Sequence, residues 1–201
     1  IKRRVKDRTV KINWDKSEFL LKRVKFLGRV VDGDGVKFDE DYTQTITDIP
    51  TPVTGGQLGQ FLNMANYMRG GIVDFARISR VLYELMERVF AESGGRTKRK
   101  TEKFELAGLW SDKHEEAYNA VKRAVKSQMK CSFVEEENDL YLIADASDVG
   151  WCLLVCQGAP AEMDKPFLER KLLPVLSLSG LFKGASARWH IMQKELFPFV
   201  R

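Results

Sequence analysis

The sequence predicts a mixed chain of α+β or α/β type: strand hairpins first, a helical stretch next, and a βββα unit last. Three observations carry that expectation. Branched and aromatic residues alternate with polar ones around the turn signal Asp32-Gly33-Asp34-Gly35. Apolar residues recur at helical spacing between residues 43 and 92. Nearly unbroken apolar runs at 140–144 and 151–155 flank a short acidic turn, as expected of strands covered on both faces.

The first segment, residues 1–42, reads as strands and turns. Val5, Val10, Ile12 and Trp14 alternate with polar residues, and Val24, Phe26, Val30 and Val31 follow. The glycines of the Asp-Gly-Asp-Gly run supply the positive φ a hairpin needs. Asp39-Glu40-Asp41 invites a metal reading, but adjacent acids without an anchoring strand read as a solvated turn.

Residues 43–92 read as helical. Pro50 and Pro52 stop what precedes them, and Thr54 with Gln57 is a capping-box pair. Leu58, Phe61, Leu62 and Ala65 then share one face, and Gly70-Gly71 closes the helix. Phe75, Ile78, Leu82, Leu85, Met86 and Val89 form a second stripe. Both stripes read as core. The opposite face of the first helix offers Gln60, Asn63 and Tyr67: a plain polar surface or a contact face.

Residues 93–137 combine a linker and a helix. Turn residues Ser93-Gly94-Gly95 lead into Arg96, Lys98, Arg99 and Lys100. Such a run either holds phosphates through counterion release or keeps a linker solvated. After Trp110, a start at Ser111 or Asp112 opens a helix with Ala117, Val121, Ala124 and Val125 inward and His114 at the surface. In residues 138–201, strands are expected near 139–145, 150–157 and 173–178. A helix should follow from about Ala187, with Ile191, Leu196 and Phe199 inward and His190 on its surface. Pro198 should end or kink it just after Glu195.

The 201 residues can bury a good core and hold two small domains. There are 33 Lys plus Arg against 28 Asp plus Glu, a net charge of +5 that suits a nucleic-acid partner without proving one. Cys131, Cys152 and Cys156 lack metal-ligand spacing; the last two sit in an apolar strand and read as small buried hydrophobes. A reduced intracellular compartment, cytoplasmic or nuclear, is expected over secretion. No apolar run approaches membrane-spanning length, so no membrane partner is expected. Ile1 opens inside a charged stretch, which reads as a fragment or processed product.

Asp145 ends an apolar run with no apolar reason to be there. A carboxylate at the edge of a core is costly unless paired or bound to a cation. A turn-forming Asp is the ordinary alternative. Around it, Asp145-Ala146-Ser147, Gly150, the apolar strand and Gln157 resemble the opening of the ribonuclease H domain of gypsy-type long-terminal-repeat retrotransposons. Pro174-Val175-Leu176-Ser177, Trp189 and Lys194-Glu195 continue the likeness in order. Upstream, residues 24–31 with Gly35-Val36 are similar to the primer-grip hairpin of that family's reverse transcriptase. Pro50-Thr51-Pro52-Val53-Thr54, Phe61-Leu62, Asn66-Tyr67-Met68-Arg69 and Ile72-Val73-Asp74-Phe75-Ala76 resemble its thumb, and Trp110 with the next helix its connecting segment.

The resemblance implies a Pol polyprotein fragment: primer-grip strands at the end of the palm (1–42), thumb (43–92), basic linker and connection helix (93–137), and the N-terminal part of a ribonuclease H-like domain (138–201). It implies that the complete enzyme copies RNA to DNA and hydrolyses RNA in RNA/DNA hybrids. The partners it implies are a hybrid or template-primer duplex and the rest of the polyprotein, in a retroelement particle. Asp145 and Glu195 become catalytic carboxylates holding Mg²⁺, in a site of two ions ~3.5–4 Å apart. Phe26, Leu27 and Gly28 of the hairpin, Gln60, Asn63 and Tyr67, and Lys98, Arg99 and Lys100 become nucleic-acid contacts. The family's further Asp residues and its Tyr-x-Asp-Asp polymerase motif have no counterpart in these residues, so neither activity is expected of them alone. Asn63 stands where the family favours Gly, Pro198 where it favours a helix former, and Leu178-Ser179-Gly180 where it favours a basic residue. Those departures keep a second reading open: a non-catalytic, retroelement-derived binding or interaction module.

Overall fold

The computed structural model describes residues 12–200. The expected strand through Val5 and Val10 lies outside the described residues. Ile12 and Trp14 do not continue it. Trp14–Lys16 is a 3-10 turn, because the Asn13 side chain accepts from the Lys16 amide at 3.2 Å.

Strands β1 (Arg23–Phe26), β2 (Arg29–Asp32) and β3 (Gly35–Phe38) form an antiparallel sheet in chain order. Pairing of Phe26 with Arg29 leaves a two-residue turn, Leu27 at φ 49 and Gly28 at φ 71. Two positive φ values suit the right-handed twist of a hairpin. The second hairpin turns at Gly33-Asp34, where a hairpin was expected, with the Asp34 amide on the Asp32 carboxylate at 3.0 Å; of the two glycines, Gly35 and not Gly33 takes the expected positive φ. Gly35 sits at φ +147, and a Cβ there would lie 2.1 Å from the Cys131 carbonyl. That approach lets Val36 and Cys131 exchange backbone hydrogen bonds of 2.8 and 2.9 Å.

Helix α1 (Glu40–Thr47) replaces the solvated turn expected at Asp39-Glu40-Asp41. The acids occupy the N-cap and first turn, where a carboxylate meets the positive end of the helix dipole. Lys25 Nζ pairs Asp39 at 2.9 Å and Asp41 at 3.1 Å. Helix α2 (Gly55–Tyr67) opens on the expected Thr54/Gln57 capping box and ends before a 3-10 turn at Arg69–Gly71. Helix α3 (Phe75–Glu92) follows. Both predicted stripes are core: Leu58, Phe61, Leu62 and Ala65 pack with Leu82, Leu85, Met86 and Val89.

The 93–104 stretch is docked, not a free linker. It holds a short helix α4 (Lys98–Thr101) with Thr101 buried, and the Gly55 amide donates to the Phe104 carbonyl at 2.9 Å. Helix α5 (Asp112–Lys126) starts after Ser111 and buries Ala117, Tyr118, Val121 and Val125 in the same core. His114 is buried rather than on the surface. It is the third residue of a capping box, its Nδ1 accepting from the Ser111 amide at 3.1 Å.

Strands β4 (Asp139–Ala146), β5 (Gly150–Gly158) and β6 (Leu173–Leu181) form a second antiparallel sheet in chain order. Central β5 is buried nearly throughout, as its apolar run predicts. Strand β4 is not covered on both faces: Leu140 and Leu142, on one face, are about half exposed, while Tyr141 between them is buried on the other. Cys152 and Cys156 are buried free thiols. Helix α6 is short, Ile191–Leu196, and begins at an N-cap His190 instead of near Ala187. Ile191, Leu196 and Phe199 are exposed, not inward. A cluster of Trp151, Phe182, Trp189 and Phe197 rings forms the contact with the sheet, and Lys194 is the buried residue of the helix. The helix gives way at Pro198 to a 3-10 turn, as expected.

Candidate nucleic-acid interface and carboxylate site

The first hairpin puts two apolar side chains into solvent. Phe26 and Leu27 are 64% and 70% exposed. Their backbone is nevertheless held. Tyr67, last residue of α2, donates its hydroxyl to the Leu27 carbonyl at 2.8 Å. The Gly28 carbonyl accepts from the Asp39 amide at 2.9 Å. The Tyr67 ring meets Phe38 and Tyr42 edge-on at 5.3 and 5.8 Å, and Arg29 lies 4.9 Å from the Phe38 centroid and 5.0 Å from that of Tyr67. Burial among these rings pushes the Tyr42 phenol up. Hairpin tip and helix end are therefore one rigid corner.

Gln60 and Asn63 lie farther along α2, both exposed, on a cleft of about 890 Å³ between α2, α3 and the 96–102 segment. Lys98 lines the same cleft. Arg99 and Lys100 do not: Lys100 turns back onto the Gly94 carbonyl, and Arg99 is exposed outside it. Lys98 pairs with Glu102 at 3.3 Å, so part of the basic run is already balanced. The structure thus gathers Gln60, Asn63 and Lys98 into one cleft and Phe26, Leu27, Gly28 and Tyr67 into the adjoining corner. Among the lining residues, sequence reasoning missed Tyr83 and Glu87; Glu87 pairs at 2.7 Å with Arg96, the first member of the basic run. No spacing rule connects residues 87 and 96, because the turn that joins them follows from packing.

Asp145 sits near the end of β4 opposite Cys152, its side chain 67% exposed. One of its oxygens is already paired. Arg77, from the first turn of α3, places Nη2 2.6 Å from the Asp145 carboxylate and Nε 2.5 Å from Asp74. Asp74, the N-cap of α3 at φ 58, has its other oxygen buried without a partner among the described residues. Burial raises the Asp74 carboxyl pKa, against the pull of Arg77. Glu195 is exposed on α6. The side chain that α6 buries there is its neighbour Lys194, which donates to the Asp148 carbonyl at 3.2 Å and pairs its carboxylate at 3.1 Å. Among the described residues, no group of three or more His, Cys, Asp or Glu side chains is placed to hold a metal ion. Asp145 is brought together with Arg77 and Asp74 rather than into an acidic cluster.

Comparisons with known proteins agree with this architecture. The chain is 24% identical over 191 residues to the "Retrovirus-related Pol polyprotein from transposon opus" of Drosophila melanogaster, covering 95% of the chain and 18% of that protein. It is 26% identical over 160 residues to the corresponding polyprotein from transposon gypsy of the same fly, covering 78% and 15%. It is 25% identical over 168 residues to the Gag-Pol polyprotein of koala retrovirus, covering 83% and 9%. The chain thus spans less than a fifth of these relatives. No family model matches it. Among solved structures it is similar to the foamy viral protease-reverse transcriptase in complex with RNA/DNA hybrid. The TM-score is 0.68 at 18% identity, with 92% of this chain and 22% of that one covered. A second foamy viral structure, in complex with double-stranded DNA, gives a TM-score of 0.67 over 90% of the chain. The chain is similar to part of the Pol polyproteins of these transposons, and its mixed helix-and-sheet fold is shared with the foamy viral protease-reverse transcriptase.

Proposed function

We propose that this segment grips the nucleic-acid duplex for a reverse transcriptase/ribonuclease H. In its complete form that enzyme would copy RNA to DNA and hydrolyse RNA in hybrids. The segment's partners would be an RNA/DNA hybrid or template-primer duplex and the rest of the polyprotein, inside a retroelement particle in the cytoplasm or nucleus. Residues 12–42 serve as primer-grip strands, 43–92 as thumb, 93–137 as basic linker and connection, and 138–200 as the start of the nuclease domain. The bond from Tyr67 to the Leu27 carbonyl carries this reading. It fixes an exposed apolar hairpin tip to the end of the helix that bears Gln60 and Asn63. Such a corner can rest on a sugar-phosphate edge while the helix lies along the duplex. Lys98, and outside the cleft Arg99 and Lys100, would add phosphate contacts at its rim.

For the nuclease half we propose Asp145 and Glu195 as two of the carboxylates that hold Mg²⁺. Mg²⁺ prefers several carboxylate and water oxygens in octahedral geometry. Asp145, paired to Arg77, and Glu195 do not form such a set by themselves. A second reading, the non-catalytic module, is favoured by that same ion pair: a carboxylate already matched by a guanidinium serves as a structural anchor.

The test of the grip is fluorescence anisotropy with an RNA/DNA hybrid. Gln60→Ala with Asn63→Ala, and separately Phe26→Ala with Leu27→Ala, should each weaken binding at least fivefold in the folded protein. Binding unchanged by both double variants would reject the proposed face.

A further inference from the structure

Arg77 joins two parts of the chain that the sequence reads as separate. It stands in the first turn of α3, within the thumb-like helices, and reaches Asp145 on β4 of the second sheet. Two more contacts cross the same seam. The Ala76 amide donates to Ser179 Oγ of β6 at 3.0 Å, so the sheet supplies a cap that α3 lacks from its own N-cap residue. Arg69 donates to the Ser179 carbonyl at 2.7 Å. Asp74 holds the same guanidinium at Nε. A guanidinium held at two of its nitrogens has little freedom to swing away.

We propose that Arg77 is a latch: it docks the thumb-like helix on the nuclease-like sheet through the Asp145 carboxylate, and in the docked arrangement its charge competes with a divalent cation for that carboxylate. The latch follows from geometry alone. Its consequence for a cation rests on the reading of Asp145 as a Mg²⁺ ligand. Arg77 acts as a positioning residue. It sets where helix and sheet sit and what charge Asp145 meets. The guanidinium holds one Asp145 oxygen at 2.6 Å, so a cation at that carboxylate has to compete with its positive charge.

Hydrogen exchange on the 201-residue chain tests the latch, because the Ala76 amide is capped across the seam. Arg77→Gln and Asp145→Asn should each raise exchange at Ala76 at least fivefold, and the double variant should raise it no further. Additive effects in the double variant, or unchanged exchange in both single variants, would overturn the proposal. Thermal melts with and without 10 mM MgCl₂ on the order of ~100-fold above protein then separate latch from metal reading. Arg77→Gln should show a larger Mg²⁺ shift than wild type, and adding Asp145→Asn should remove the gain. A wild-type shift as large as that of Arg77→Gln would refute the competition. Non-additive exchange with no Mg²⁺ shift in any variant would support the latch and end the reading of Asp145 as a metal ligand.

Discussion

Tyr67 shows how one side chain serves both stability and function. Its ring is part of the Phe38/Tyr42 cluster, while its hydroxyl holds the Leu27 carbonyl. Tyr67→Phe keeps the ring and removes one hydrogen bond, so stability should fall by about 0.5–1.5 kcal/mol. Hybrid affinity should fall with it, as the hairpin tip is released. Urea melts beside anisotropy check both, and a loss of stability without a loss of affinity would separate the corner from binding. His114 carries a pH signature. Burial pushes its pKa below 6.5, with Lys113 and Arg88 acting in the same direction. The unfolded chain takes up the proton near 6.5 while the folded chain resists it. The stabilising difference is therefore complete above that pH and is lost as pH falls through the depressed folded value. Protonation also turns Nδ1 from an acceptor into a donor and breaks the cap on Ser111. Melting temperature should decline on acidification below pH 6.5, and His114→Gln should flatten that decline. Equal slopes in the two proteins would show that other groups set the acid limb.

Elements with strong local signals were legible in the sequence. The Thr54/Gln57 box, the two apolar stripes and the Asp-Gly-Asp-Gly turn all formed as their spacing requires. Helix α1 lies partly inside the helical reading of 43–92, but its start was placed too late because its N-terminal acids also suit a turn; Lys25 pairs with them across the fold. Strand β4 reads as doubly covered because an apolar run cannot report that nothing packs on one face of the strand. The inward face of α6 was misjudged because a helix of six residues is placed by the aromatic cluster beneath it, not by its own period. Gly35 gives the sharpest test at this scale. Its φ of +147 and the 2.1 Å approach of the Cys131 carbonyl leave no room for a Cβ. Gly35→Ala should cost about 2–4 kcal/mol and open the β3 bridge. Gly33→Ala, with nothing within 4 Å of its Cβ, is the control and should cost far less. Equal costs would mean that the close approach does not constrain the turn.

At the scale of the molecule, the order of motifs along the chain was more informative than any one of them. Fold and relatives followed from it. The site did not, because Arg77 and Asp145 are 68 positions apart and no local pattern joins them. In a protein carrying this segment and a complete nuclease domain, Asp145→Asn and Glu195→Gln should each lower Mg²⁺-dependent hybrid cleavage by about 10²-fold or more, since each removes an anionic oxygen beside dications. Cleavage at wild-type rate by Asp145→Asn would leave Asp145 only its ion pair with Arg77. The central claim, that the hairpin corner and the cleft along α2 hold a duplex, is tested most directly by titrating an RNA/DNA hybrid at several salt concentrations. A handful of phosphate contacts predicts a log–log slope on the order of −3 to −5, at about −0.9 per contact for B-form DNA. A flat response, or no binding at low salt, would contradict it.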